Sequence, residues 1–208
     1  DSESEDSWNN FFEGLKLRGL KKVDLVSSDN HGGLKRAIQK QFQGTSWQRC
    51  QTHFSKNILD KAPKKLRGQI KSSLTDIYNA PELKEAKERK QCMLDRYQEQ
   101  APKAMELLDE SFDEITAVFA LPKPYRKRLR TTNGVERLNE ELRRRERVIR
   151  IFPNDQSLIR LMGALLMEHH EKWINGKKYF DMTCYYEERD EARKSAQTQR
   201  SNHLEVIK

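Results

Sequence analysis

The chain has 208 residues, of which 35% are charged, with a formal net charge of +8 and a mean hydropathy of −0.98. This length suits one domain or, as we expect, one domain that carries an insertion. Periodic apolar residues exclude a disordered chain, no apolar run approaches the roughly 20 residues of a membrane span, and the acidic first residues differ from a signal peptide. We therefore expect a helix-rich cytoplasmic protein without membrane contact.

The first 50 residues predict a helix followed by a β-α-β unit. Ser2 and Glu5 form a candidate capping box for a helix that Gly19 ends. The stretch "KVDLVSS" alternates as a strand, "GGLKRAIQKQF" has helical spacing, and "TSWQRC" predicts a second strand. A right-handed crossover makes such strands parallel, so Asp29 and Cys50 fall at the carboxyl edge where open α/β sheets bind ligands.

The rest of the chain has only helical patterns. We predict an all-helical insertion that leaves through the motif "LPKP". The segment "TTNGVERLNEELRRRERVIRIF" then predicts a helix with an apolar face that we expect to be buried, and with Glu136 off that face. That apolar face comprises Val135, Leu138 and Leu142. A last helix, "DQSLIRLMGALLMEHHEKW", is expected to pack through Leu158, Leu161, Met162, Leu165 and Leu166. The predicted divisions are 1–54, 55–122 (insertion), 123–186 and 187–208 (tail).

Basic charge is concentrated in one stretch. Residues 123–150 hold eleven Lys or Arg against four Glu, so this stretch carries +7 of the total charge of +8. Clustering of this kind is typical of a surface that neutralises phosphates, although a merely solvated face remains an alternative. The stretch therefore favours nucleic acid as a partner.

Two carboxylates stand where a metal site could form. Asp29 follows the first strand and Glu136 lies near the start of the arginine-rich helix. Mg²⁺ prefers oxygen ligands and completes its shell with water and substrate phosphates, and two such ions can activate a nucleophile and stabilise the leaving oxygen of a phosphodiester. Taken singly, Asp29 fits a turn residue and Glu136 fits a capping partner of Asn133, so these alternatives stay open.

The order of three motifs resembles that of the bacterial insertion-sequence transposases of the Mutator-like superfamily. The motifs are "SDNHGGLKRAI", "WQRCQTHFSKNILDKAPKK" and "RTTNGVERLNEELRRRERVIRIFPN", and the resemblance runs from about Glu3 to Trp173. It implies an α/β, ribonuclease-H-like catalytic core with a helical insertion and a DDE triad. The second Asp of the triad matches Asp29 and its Glu matches Glu136. The first Asp matches no residue here, which implies an incomplete core whose first strands lie upstream.

The motif "CQTH" places Cys50 and His53 three residues apart. A structural zinc site is disfavoured because no second Cys/His pair stands at a suitable spacing. The Mutator-like family has a Cys-x2-His signature at this place, so the resemblance implies that both residues lie in the vicinity of the active site.

We therefore expect a fragment of a DDE transposase, whose parent cleaves DNA strands and transfers them with Mg²⁺, or with Mn²⁺ as a substitute. The alternatives are an inactive DNA-binding remnant and a ribonuclease-H-like nuclease. The missing first Asp implies that the fragment itself is inactive. Expected partners are transposon ends, target DNA and further copies of the chain, in the cytoplasm and at the nucleoid. Residues expected to contact DNA, with the arginines mainly on phosphates, are Asn133, Arg137, Asn139, Arg143, Arg144 and Arg147.

Overall fold

A computed structural model describes residues 4–176 and 180–191 of the chain. The structure is mostly helical, with one small sheet of two parallel strands. The elements are α1 (Glu5–Leu17), β1 (Leu25–Ser28), α2 (Gly32–Gln41), β2 (Ser46–Arg49), α3 (Gln51–Lys61), α4 (Arg67–Tyr78), α5 (Leu83–Tyr97), α6 (Pro102–Thr116), α7 (Lys123–Leu129), α8 (Asn133–Ile149) and α9 (Asp155–Asn175), with 3₁₀ turns at Lys64–Leu66 and Ala117–Ala120 and further helix over residues 183–191.

The first helix begins and ends at capped positions. Its N-cap is Ser4, whose hydroxyl oxygen accepts a hydrogen bond from the backbone N–H of Ser7 at 3.2 Å. The predicted capping box of Ser2 is therefore wrong about the capping residue, and Ser2 itself lies outside the described residues. The prediction that Gly19 ends the helix is confirmed, because Gly19 adopts a φ of 105° and its N–H donates to the last turn.

The predicted β-α-β unit is confirmed. Strands β1 and β2 pair in parallel, with Leu25 opposite Ser46 and Ser28 opposite Arg49. Helix α2 crosses between the two strands and packs on α1. A small core joins these elements through Phe12, Leu34, Ala37 and Ile38, with Trp8, Val26 and Trp47 packed against it.

A bundle of helices carries the main core. Helices α3 to α6 and the 3₁₀ turn after α6 bury a continuous apolar cluster that contains Phe54, Ile58, Leu74, Leu108 and Ile115. Residues 55–122 contain helices and turns and no strand. Because α6 and the turn after it contact β2, this bundle rests on the sheet.

Contacts divide the chain into two compact units, Asp1–Gly134 and Val135–Lys208. The sequence-based boundaries at 54, 122 and 186 stay predictions. In the second unit, the expectation of a buried face on α8 is wrong: Val135 is 63% exposed, and Leu138 and Leu142 are only half-buried. Nine of the seventeen residues of α8 are charged, which leaves an apolar stripe too narrow to be covered fully.

Helix α9 is covered only in part. Leu165 is buried, and Leu158, Leu161 and Met162 are half-buried, as their helical spacing predicts. Leu166 was expected to pack with them but is 42% exposed, because the covered stripe is narrower than the apolar pattern. None of the helices in the described part of the chain is both long enough and apolar enough to cross a membrane.

Candidate active site at the sheet edge

The carboxyl edge of the sheet is tied together by a short hydrogen-bonded path. The backbone N–H of Cys50 donates to the carbonyl of Ser28 at 2.6 Å, so the residue after β2 stays paired with the end of β1. The indole N–H of Trp47 donates to the Ser28 hydroxyl at 2.9 Å, and that hydroxyl donates to the carbonyl of Asp29 at 2.8 Å. The edge thereby holds the backbone of Asp29 in place.

Asp29 presents its carboxylate to solvent directly after the buried Ser28. Within the described part of the chain its carboxylate accepts no hydrogen bond and forms no ion pair. The turn alternative requires that carboxylate to accept a backbone N–H, whereas helix α2 is capped by His31, whose Nδ1 accepts from the N–H of Leu34 at 3.4 Å. The side chain of Asp29 is therefore available to a ligand.

Cys50 is fully buried at the N-terminus of α3. Its sulfur accepts two hydrogen bonds from Thr132, one from the backbone N–H at 3.4 Å and one from the hydroxyl at 3.3 Å. His53 lies in the first turn of α3 and is half-buried. The sulfur of Cys50 is thus the hydrogen-bond acceptor that holds Thr132, and with it the segment that precedes α8.

That segment is held at several points on the sheet edge. The hydroxyl of Ser27 donates to the carbonyl of Leu129, and the backbone N–H of Gln51 donates to the carbonyl of Arg130 at 3.0 Å. The hydroxyl of Thr52 donates to the side-chain oxygen of Asn133 at 3.3 Å. Asn133, predicted to touch DNA, is therefore the point at which α8 begins on the first unit.

A network of buried amides, which the sequence analysis missed, joins β2 to the helical bundle. Gln48 is fully buried; its side-chain N–H group donates to the carbonyl of Ile115 at 3.0 Å, and its oxygen accepts from the N–H of Val118 at 2.9 Å. Gln51 donates to the same carbonyl at 2.8 Å. Buried Arg49 donates to Ser111 at 2.9 Å. The alternation of Gln48 with its neighbours on the strand was the available signal for a buried polar side chain. Its hydrogen-bond partners could not be predicted, because they are distant in sequence.

Several cations of the stretch 123–150 have structural partners. Arg126 donates to the carbonyls of Pro81 and Leu121, both at 2.8 Å, and to that of Phe119 at 3.1 Å. Arg130 donates to the carbonyl of Tyr78 at 2.9 Å, and burial lowers the pKa of Arg130 while it raises the pKa of the Tyr78 phenol. These arginines close the bundle, which narrows the predicted DNA surface to the remaining cations.

Helix α8 carries the other predicted site residues. Glu136 is half-buried in its first turn. Arg144 pairs with Glu141 at 2.7 Å, and hydrogen bonds from Arg144 and then Arg145 lower the pKa of Glu141 to about 2. Among the predicted DNA contacts, Arg137, Asn139, Arg143 and Arg147 are exposed, and their side chains have no hydrogen bond or ion pair with a described residue.

The comparison with known proteins identifies one family of transposases. A profile for "Transposase, Mutator family" matches residues 1–176. The chain is 43% identical over 182 residues to a transposase for insertion sequence element IS256 in transposon Tn4001 of Staphylococcus aureus, which covers 86% of this chain and 46% of that protein. It is 41% identical over 180 residues to the transposase for ISRM5 of Rhizobium meliloti (86% and 45%), and 38% identical over 175 residues to that for IS1081 of Mycobacterium tuberculosis (84% and 42%). The chain thus spans less than half the length of these curated relatives.

Proposed function

Because the chain belongs to the Mutator family of transposases, we propose that it forms part of a DDE transposase that cleaves and joins DNA strands of a bacterial insertion sequence. The observation that carries this proposal is the exposed carboxylate of Asp29 at the carboxyl edge of a parallel strand pair, where no residue in the described ranges pairs with it. Ligands of open α/β sheets bind at such an edge. A ribonuclease-H-like core, to which these strands would belong, is part of the proposal.

The donor set fits Mg²⁺, with Mn²⁺ as a substitute. Asp29 offers hard carboxylate oxygens that no described residue occupies, and Glu136 is the second proposed ligand. A bound pair of such ions would activate the attacking oxygen and stabilise the leaving oxygen of the phosphodiester. The chain's own residues hold the backbone of Asp29 at the sheet edge and would supply cations for the DNA phosphates. Cys50, through Thr132, fixes the segment that leads into α8.

The proposed DNA contacts are the side chains of α8. Arg137, Arg143 and Arg147 are exposed and would bind phosphates, while Asn139 projects from the same helix. The partners would be transposon ends and target DNA, bound by an oligomer of the transposase. Since the family triad has a third carboxylate that no residue of this sequence matches, we expect the 208-residue chain alone to bind DNA but not to cut it.

The test is a chimera in which this chain replaces the matching segment of the Staphylococcus aureus transposase. Asp29→Asn or Glu136→Gln should reduce to background both the cleavage of a labelled, uncut transposon end and the strand transfer of a labelled, precut end. DNA affinity should stay within about twofold, because the phosphates are bound elsewhere. The matched controls are Asp60→Asn and Glu140→Gln, which neutralise exposed carboxylates on α3 and α8.

Full activity of both the Asp29 and Glu136 variants, in a chimera that is itself active, would overturn the assignment. Loss of cleavage with retained strand transfer would also contradict it, because both reactions need the same metal ions. Robust Mg²⁺-dependent cleavage by the 208-residue chain alone would show that the proposed third carboxylate is unnecessary.

A further inference from the structure

A second basic surface lies on the first unit, at the corner where α3 passes into α4. Residues 61–71 contain five basic side chains and no acidic one, which is a higher density of positive charge than in residues 123–150. We name this surface the basic corner. It comprises the last residue of α3, the 3₁₀ turn and the first two turns of α4, with the cations Lys61, Lys64, Lys65, Arg67 and Lys71.

The basic corner is rigidly built. Ala62 and Ile70 are buried in the main core, and Leu66 packs against it, so an apolar residue anchors the segment at every fourth position. Arg67 donates from Nε to the carbonyl of Ala62 at 3.3 Å and thereby closes the turn. Lys71 follows Arg67 one turn later in α4 and lies on the same side of the helix. The cations are therefore held close together by the bundle.

The charges of the corner are available to a partner. Lys61, Lys64, Lys65 and Lys71 are exposed, and none of their ammonium groups has a hydrogen bond or an ion pair with any residue that the structure describes. Other lysines of the same unit are paired: Lys90 binds Asp109 at 2.7 Å. Clustered like charges repel one another, so the binding of an anion at the corner lowers this electrostatic repulsion.

We infer that the basic corner binds the phosphate backbone of duplex DNA, as a contact separate from α8. Lysine acts as a point charge toward phosphate and reads no sequence. Residues 61–71 contain no aromatic side chain on which the bases of a single strand could stack, and none of their large apolar side chains is exposed to enter a membrane. The inference rests on the proposed function, which makes DNA the substrate.

The acidic surface of the same unit restricts where that DNA can lie. Helix α6 carries five acidic side chains against one lysine, Lys103. Asp109 and Glu114 pair with Lys90 and Lys35, and the other three acidic side chains of α6 are exposed. These three repel phosphates, whereas the corner attracts them, so the two surfaces of the unit differ in their affinity for DNA. This charge separation gives a matched control, because lysines outside the corner can be neutralised in equal number.

The experiment compares the 208-residue chain with two triple variants. One neutralises the corner through Lys64→Gln, Lys65→Gln and Lys71→Gln. The other makes the same change in net charge at exposed lysines outside the corner, through Lys84→Gln, Lys87→Gln and Lys103→Gln. Binding to a 30-base-pair duplex of arbitrary sequence is measured from 50 to 250 mM salt, with single-stranded RNA and phosphatidylserine vesicles as competing probes.

The corner variant should bind the duplex about tenfold more weakly at 100 mM salt, with a slope of log K against log salt that is flatter by about 0.9 for each contacted phosphate, so by up to ~2.7. The control variant should keep the slope within about 0.5 of the parent. The duplex should also protect Lys64, Lys65 and Lys71 of the unchanged protein from acetylation, while Lys84 and Lys87 stay reactive. Equal melting temperatures show that both variants fold.

An unchanged slope in the corner variant, together with acetylation of the corner lysines in the presence of duplex, would overturn the inference. If Arg143→Ala with Arg147→Ala still weakens binding in that case, the proposed function stands. If the corner substitutions weaken binding to RNA alone or to vesicles alone, and leave binding to the duplex unchanged, the assignment to duplex DNA is overturned. Failure of the proposed function is read separately, from strand cleavage by the chimera with Asp29→Asn.

Discussion

The two compact units each contain arginines whose surroundings can be compared. In the first unit, Arg49 is buried and Arg126 and Arg130 donate to backbone carbonyls. In the second, Arg143 and Arg147 stand exposed on α8 without partners among the described residues. Because a guanidinium has several fixed donors, it can close a loop as well as bind a phosphate. Charge density along a sequence therefore overstates the charge that is available to a ligand.

The largest effect should come from the buried amide that joins β2 to the bundle. Replacing Gln48 by Leu leaves the N–H of Val118 and the carbonyl of Arg49 without partners in the core. We expect the free energy of unfolding to fall by about 3 kcal/mol, because each buried polar group left unpaired costs about 1–3 kcal/mol. Urea denaturation measures the change, with the exposed Gln43→Leu as the control. A loss below about 1 kcal/mol would show that the network is dispensable.

The next variant tests the structural role of an arginine in the first unit. Arg126→Met keeps the apolar stem but removes hydrogen bonds to the carbonyls of Pro81, Phe119 and Leu121. We expect stability to fall by about 2 kcal/mol, since hydrogen bonds from charged groups contribute about 1.5–3 kcal/mol. The salt dependence of DNA binding should stay unchanged. A flatter slope at full stability would place Arg126 on the DNA surface instead.

An arginine substitution in the second unit should have the opposite effect, because it should change the salt dependence of DNA binding and not the stability. Arg143→Ala should leave stability within about 0.5 kcal/mol of the parent and flatten the plot of log K against log salt by about 0.9. Arg144→Ala should flatten it less, because Glu141 already pairs with that guanidinium at 2.7 Å. Titrations of a labelled duplex at five salt concentrations compare the two variants. Equal slopes for both would contradict the distinction drawn from their pairing.

The smallest effect concerns the low pH at which Glu141 loses its ion pairs with Arg144 and Arg145 on α8. Hydrogen bonds from Arg144 and Arg145 lower the pKa of Glu141 to about 2. A lowered pKa means that the pairing contributes at neutral pH and is lost only as the pH falls from 4.5, the ordinary carboxyl value, toward 2. Carbon-13 NMR of the Glu141 carboxyl follows this titration. In the Arg144→Ala/Arg145→Ala double variant the midpoint should rise; an unchanged midpoint would exclude the pairs as its cause.

The local elements could be predicted because their signals are local. Alternation before Asp29, helical spacing after it and Gly19 at a helix end each depend on neighbouring residues. The parallel pairing follows from the helical crossover that joins the two strands. The family could be recognised from three motifs in order, and the profile match confirms it. The burial of α8 was predicted wrongly, because periodicity shows which residues share a face and not whether anything covers it.

The amino-acid sequence by itself determined the helical bundle, the β-α-β unit, the family and the position of Asp29 after its strand. Only the tertiary structure decided which polar side chains are structural and which remain available. Gln48 meets Val118 across 70 residues, and Arg126 reaches Pro81 across 45. Hydrogen-bond partners at such separations leave no periodic trace in the chain, because they are selected by the packing of the core that brings the two segments together.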